Sequence, residues 1–154
     1  MKKHIQIFSL IIILILADQL TKLWALAELR GSEGISVITG IFELQYLENR
    51  GAAFGILQNH QVLFLLITVL AAVLLTYIYA RIPDDKKYIP LRICYVLLMA
   101  GAFGNMIDRA FRGYVVDFFY FKVINFPIFN VADCYVTVAT AILLILLMKV
   151  YSDE

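Results

Sequence analysis

The chain has 154 residues, 62% of them hydrophobic and only 16% charged, with a formal net charge of +1. Soluble domains average about 45–50% apolar and about 25% charged residues, so an ordinary soluble domain is excluded. The net charge says nothing about nucleic acid, and the sequence holds no basic patch interleaved with aromatics. Its two cysteines, Cys94 and Cys134, each lie inside an apolar block and read as small buried hydrophobes rather than disulfide partners.

Along the chain, the start Met1-Lys2-Lys3-His4 and the apolar run at 5–16 imitate a secretory signal peptide. No small-x-small cleavage site follows, and the run continues apolar through Leu26. The reading is an uncleaved first transmembrane helix over about 5–25, carrying Asp18 and Lys22 in its distal third. A spanning helix needs about 20 mostly apolar residues. Three further segments meet that need, at about 62–80, 91–107 and 131–148, and the first of these holds no charge. The expected fold is an all-α membrane protein, a bundle of four transmembrane helices forming a single integral membrane domain over 1–154.

Four spans place both termini on one side. That side collects Lys2, Lys3, Arg81, Lys86, Lys87, Arg92 and Lys149, seven of the thirteen Lys and Arg residues. The positive-inside rule then gives a multi-pass protein with both termini in the cytoplasm. Two segments, about 28–61 and 111–130, lie on the opposite side. Within the first, Phe42-Glu43-Leu44-Gln45-Tyr46 alternates at period two, as a half-buried strand does, and Gly31, Gly34 and Gly40 punctuate its approach. A small extracytoplasmic β-sheet between helices 1 and 2 is expected, resting on the membrane surface. The second segment contains Asp117, and its stretch 119–125 reads as a connector without a role.

The polar residues gather in blocks, and each block permits two readings. Asp18 and Lys22 are spaced i, i+4, so they share a helix face and can neutralise one another; a supporting role at an active site is compatible with that. Asn49-Arg50-Gly51-Ala52-Ala53-Phe54-Gly55 is either a plain turn or a loop whose small residues admit a ligand. In Gly101-Ala102-Phe103-Gly104-Asn105-Met106-Ile107-Asp108-Arg109, residues 101, 105 and 108 form one helical stripe. It serves close helix packing, with Asp108 and Arg109 as an interfacial ion pair, or a polar site. Asn130-Val131-Ala132-Asp133 resembles a capping box entered past Pro127, which explains Asp133 but leaves Asp117 unexplained. A carboxylate near hydrocarbon costs roughly 2.5–3.5 kcal/mol on insertion scales, so two at one membrane boundary demand a reason.

Other chemistries lack parts. His60 is the only histidine on the side of the two loops, no His or Cys spacing supports zinc, and Cys134 has no evident histidine base.

In this order the blocks resemble the lipoprotein signal peptidase (signal peptidase II) family of bacterial intramembrane aspartyl proteases. The resemblance rests on Asp18-Gln19-x-x-Lys22, Asn49-x-Gly51-Ala52-Ala53-Phe54-Gly55, Gly101-Ala102-x-Gly104-Asn105-x-x-Asp108-Arg109, Val116-Asp117-Phe118 and Phe129-Asn130-x-Ala132-Asp133. It implies that Asp117 and Asp133 are the catalytic pair. Asn49, Asn105, Arg109 and Asn130 match positions that hold substrate or support the pair, with Asp18, Lys22, Asp108, Gly51 and Phe54 in the same motifs. The implied substrate is a diacylglyceryl-modified prolipoprotein, cut just before its lipidated cysteine at the outer face of the bacterial cytoplasmic membrane. The expected enzyme uses no metal or other cofactor, works as a monomer among membrane lipids, and binds no nucleic acid. Two rival readings stay open on the residues alone: an ion-coupled transporter relaying through Asp18, Asp108, Asp117 and Asp133, and a non-catalytic scaffold.

Overall fold

The computed structural model describes residues 2–51 and 60–152. Among these residues, four helices are long and apolar enough to cross a membrane: α1 (Lys2–Glu28), α2 (Gln61–Ala80), α3 (Ile89–Arg112) and α4 (Val131–Ser152). Three strands form an antiparallel sheet in the order β1 (Ile35–Ile38), β2 (Phe42–Asn49), β3 (Val115–Phe121). The protein is therefore a multi-pass membrane protein whose four-helix bundle carries a small sheet at one end.

α3 is the pivot, because α1, α2 and α4 all pack against it. Its length follows from its ends. Pro90 stands in the first turn, where its missing N–H costs nothing. Gly113 closes the helix with a positive φ of 76° and donates its N–H to the Arg109 carbonyl at 3.2 Å, the left-handed stop that glycine permits. Between them the helix runs past the polar residues at 105–109, five residues beyond the expected limit of the third span, since those residues find partners inside the bundle.

Small residues set the approach of α3 to α4. A methyl group added at Gly101 would lie 2.6 Å from the Ala132 carbonyl oxygen and 2.6 Å from Val136 Cγ2. One added at Gly104 would lie 2.6 Å from Asp18 Oδ2. Helices without a hydrophobic drive to associate in lipid gain from such contact. Elsewhere the helix faces are covered with exposed Leu, Ile and Val, Leu70 and Val62 each at 70% exposure. In water this would be a liability, and in a bilayer it is the outer surface.

The sheet joins the two segments between helices. β2 pairs with β3 from Phe42 opposite Phe121 to Asn49 opposite Val115, with a register shift between Leu44 and Leu47. The third strand is where the structure departs from the expected connector at 119–125. Phe119 to Phe121 belong to β3, and Phe119 exchanges backbone hydrogen bonds with Phe129 at 2.8 and 3.1 Å. Val115, Val116, Asp117 and Phe118 are buried in succession, so the strand shows no alternation to read. Its core is Ala25 of α1 and Leu29 just past the helix end, packed with Val116 and Phe118, which seats the sheet directly on the end of the first helix.

Candidate active site

Asp117 and Asp133 reach one cavity from different elements. Asp117 sits mid-strand on β3, opposite Leu47, and Asp133 lies in the first turn of α4. Both line a cavity of about 890 Å³ together with Asn49, Asn105, Arg109, Phe126, Phe129 and Thr137.

A chain of amides connects the two carboxylates. Asn130, fully buried, donates through Nδ2 to Asp117 Oδ1 at 2.6 Å and to Asn105 Oδ1 at 3.1 Å. Asn105 Nδ2 donates to Asp133 Oδ1 at 2.9 Å. On the other side, Asn49 Nδ2 donates to Asp117 Oδ2 at 2.9 Å, a diagonal contact that the β2–β3 register makes possible. Each carboxylate thus receives donors that hold its plane, while the pair still faces open volume.

The capping box expected at 130–133 is present in both directions. Asp133 N–H donates to Asn130 Oδ1 at 3.0 Å, and Asn130 N–H donates to Asp133 Oδ2 at 3.1 Å. Asn130 therefore caps α4 with its oxygen and grips Asp117 with its nitrogen. Asp133 is aimed by the same turn that starts its helix.

Burial pushes the Asp117 carboxyl up to about 7, with the nearby Asp133 charge raising it further and the amides of Asn49 and Asn130 pulling it back. Loss of solvation and a like charge both disfavour the ionised form. Asp117 therefore titrates near neutrality, where an acid–base group is useful.

Behind the amides lies an ionic cluster. Asp18, Lys22 and Asp108 have no solvent exposure. Lys22 Nζ stands 2.9 Å from Asp18 Oδ2, 3.3 Å from Asp108 Oδ2 and 2.8 Å from Asn105 Oδ1. The i, i+4 pairing of Asp18 with Lys22 is as expected, whereas the adjacent pair Asp108 with Arg109 is not what forms. Asp108 instead takes Arg112, one turn further on and on the same face. Arg109 turns away, donating through Nη2 to the Gly51 carbonyl at 3.1 Å and stacking its guanidinium 4.6 Å from the Phe64 ring centre. The turn after β2 is closed by Gly51 N–H donating to Asn49 Oδ1 at 3.0 Å; Phe54, the remaining expected residue, lies outside the described residues.

Sequence reading missed three participants. Gln19 bridges Asp18, the Gly104 carbonyl and Asp108 at 3.1, 3.0 and 3.3 Å. Arg112 was legible through its i, i+4 spacing from Asp108. Phe64, one apolar side chain among many in α2, carried no signal.

A family model described as signal peptidase (SPase) II matches residues 10–149. The lipoprotein signal peptidase of Clostridioides difficile (strain 630) is 45% identical over 141 residues, 90% of this chain and 93% of that protein. The lipoprotein signal peptidase of Streptococcus pneumoniae (strain ATCC BAA-255 / R6) is 41% identical over 149 residues, 97% of this chain and 96% of that one. A bacterial membrane enzyme solved by the in meso method at 2.3 Å superposes with a TM-score of 0.85 at 31% identity, covering 97% of this chain and 91% of its own. With 140 consecutive residues inside the family model and relatives 41–45% identical over nine-tenths or more of the chain, the chain belongs to the signal peptidase II family.

Proposed function

We propose that this member of the signal peptidase II family removes the signal peptide from prolipoproteins with Asp117 and Asp133 as its acid–base pair. The observation that carries the reading is the shared cavity: two carboxylates on separate elements, bridged by Asn130 and Asn105, at the end of the bundle where helices meet the sheet. Buried neighbouring carboxylates resist ionising together, so the pair holds one proton between them. The ionised member takes a proton from water, whose oxygen attacks the scissile carbonyl carbon. The protonated member donates to the carbonyl oxygen. As the tetrahedral intermediate collapses, the C–N bond breaks and the proton taken from water passes to the leaving amine.

Substrate chemistry follows from the cavity's position. Its polar wall holds the aspartates, while Val136, Thr137 and Val138 carry the lining along α4, towards the hydrocarbon. A lipid-modified peptide fits this division, with its diacylglyceryl tails in the bilayer and the peptide bond before its cysteine at the carboxylates. Arg109 lines the cavity, where its guanidinium supplies a donor for a substrate carbonyl. The monomer suffices, because every group named belongs to one chain. The active end faces outward across the bacterial cytoplasmic membrane, with both termini inside.

The test is cleavage by the purified protein in liposomes of one prolipoprotein presented with and without its diacylglyceryl group. Mass spectrometry is expected to place the cut immediately before the modified cysteine, with the unmodified form left intact. Equal cleavage of both forms, or a cut elsewhere, contradicts the substrate assignment.

A further inference from the structure

The buried cluster behind the site holds a relation that ion pairing alone does not require. Asp18 Oδ1 accepts the backbone N–H of Ala132 at 2.9 Å, and Asp108 Oδ2 accepts the backbone N–H of Val116 at 2.9 Å. Ala132 immediately precedes Asp133, and Val116 immediately precedes Asp117. Each of these two carboxylates, one on α1 and one on α3, therefore holds the backbone N–H of the residue just before one of the two cavity aspartates.

Lys22 joins both grips. Its ammonium has three donors, and three acceptors surround it: Asp18 Oδ2 at 2.9 Å, Asp108 Oδ2 at 3.3 Å and Asn105 Oδ1 at 2.8 Å. The third contact fixes the Asn105 amide. With its oxygen turned to Lys22 and to Asn130 Nδ2, the Asn105 nitrogen has to face Asp133. Arg112 and Gln19 complete the shell of Asp108, so two cations stand against two anions.

We propose that Lys22 is a positioning residue for the cleavage reaction, fixing the relative placement of Asp117 and Asp133 through the Asp108–Val116 and Asp18–Ala132 contacts and through Asn105. It touches neither carboxylate of the pair directly by hydrogen bond and reaches no substrate, being wholly buried. The proposal rests on the reading of Asp117 and Asp133 as the acid–base pair. Its physical content is that both aspartates are referred to one ammonium, so α1 sets the geometry of a site to which it contributes no cavity wall.

The test uses the full chain in lipid–detergent micelles. Lys22→Met combined with Asp18→Asn removes one cation and one anion together, a change that buried pairs often tolerate, and the new amide oxygen still accepts from Ala132 N–H. Lys22→Gln is the second variant, removing charge but keeping a donor for Asn105. The expected result is a folded protein in which kcat falls on the order of tenfold to a hundredfold while KM holds, as for a misplacement of reacting groups, with the smaller loss in Lys22→Gln. A folded double variant with wild-type kcat overturns the proposal, and so does a loss carried by KM, which assigns Lys22 to substrate binding. Failure of both variants to fold assigns Lys22 to stability alone and overturns it equally. Asp117→Asn and Asp133→Asn run alongside: persistent cleavage in either breaks the catalytic reading itself, an outcome separate from any result at Lys22.

Discussion

Asp117 carries the clearest energetic signature of a working group. Its carboxyl is held near 7 by burial, against 3.8 for the free side chain. The folded chain therefore keeps a proton that the unfolded chain has lost between about pH 4 and about pH 7. The associated stability is fully present below about pH 4 and is lost as pH rises through about 7. Thermal unfolding in detergent is expected to show a falling midpoint from about pH 5 to about pH 8, and Asp117→Asn, which cannot ionise, is expected to flatten that slope. An unchanged slope in the variant means the proton is held elsewhere. The cleavage rate is expected to fall on the alkaline side over the same range, as the shared proton leaves. At this scale the sequence was informative where chemistry is local. The capping box at 130–133 follows from four consecutive residues, and Asp18 with Lys22 from one helical turn. Of the two readings of the 101–109 block, the Asp108–Arg109 ion pair does not form, because adjacent residues on a helix diverge by about 100° and a residue a turn away shares the face.

The helices and strands matter through how closely they meet. Gly101 lets the α3 backbone approach the α4 turn that presents Asp133, and a methyl group there collides with the Ala132 carbonyl. Gly101→Ala is expected to cost about 1–3 kcal/mol by overpacking, read as a lower midpoint in thermal unfolding, and to reduce cleavage by moving α4. Asn130→Ala removes the cap and the bridge together. Its stability cost is expected at about 1 kcal/mol, with an activity loss much larger than that energy, because the contact to Asp117 goes as well. A loss of stability with full cleavage reduces Asn130 to a cap. The strand bearing Asp117 was the element least legible in sequence. Val115-Val116-Asp117-Phe118 is buried on both faces against α1 and the neighbouring strand, so period-two alternation was never present. Its β-branched and aromatic composition was the only available sign. The end of α3 was hidden for a related reason: charge at 108–112 looks like a helix leaving the membrane until its partners on α1 are known.

The whole molecule separates two tasks. Exposed aliphatic surface covers α2 and α4, while polar groups from all of α1, α3, α4 and the sheet turn inward at one end. That one-sided gathering disfavours a relay across the bilayer, which needs carboxylates near mid-depth. It also makes orientation testable. In a chain with Cys94 and Cys134 replaced by alanine, Ser36→Cys on exposed β1 is expected to react with a membrane-impermeant maleimide in intact cells. Lys86→Cys, between α2 and α3, is expected to react only after permeabilisation; the reverse pattern inverts the protein. The overall architecture was legible because hydrophobic blocks long enough to span are unmistakable, whereas the assembly of the site depended on contacts between residues up to 114 positions apart, as between Asp18 and Ala132. The most direct test of the account is the rate at which purified Asp117→Asn and Asp133→Asn, each shown to be folded by thermal unfolding, cleave a diacylglyceryl prolipoprotein in liposomes. Both are predicted to lose cleavage, and wild-type turnover in either folded variant contradicts the assignment of the pair.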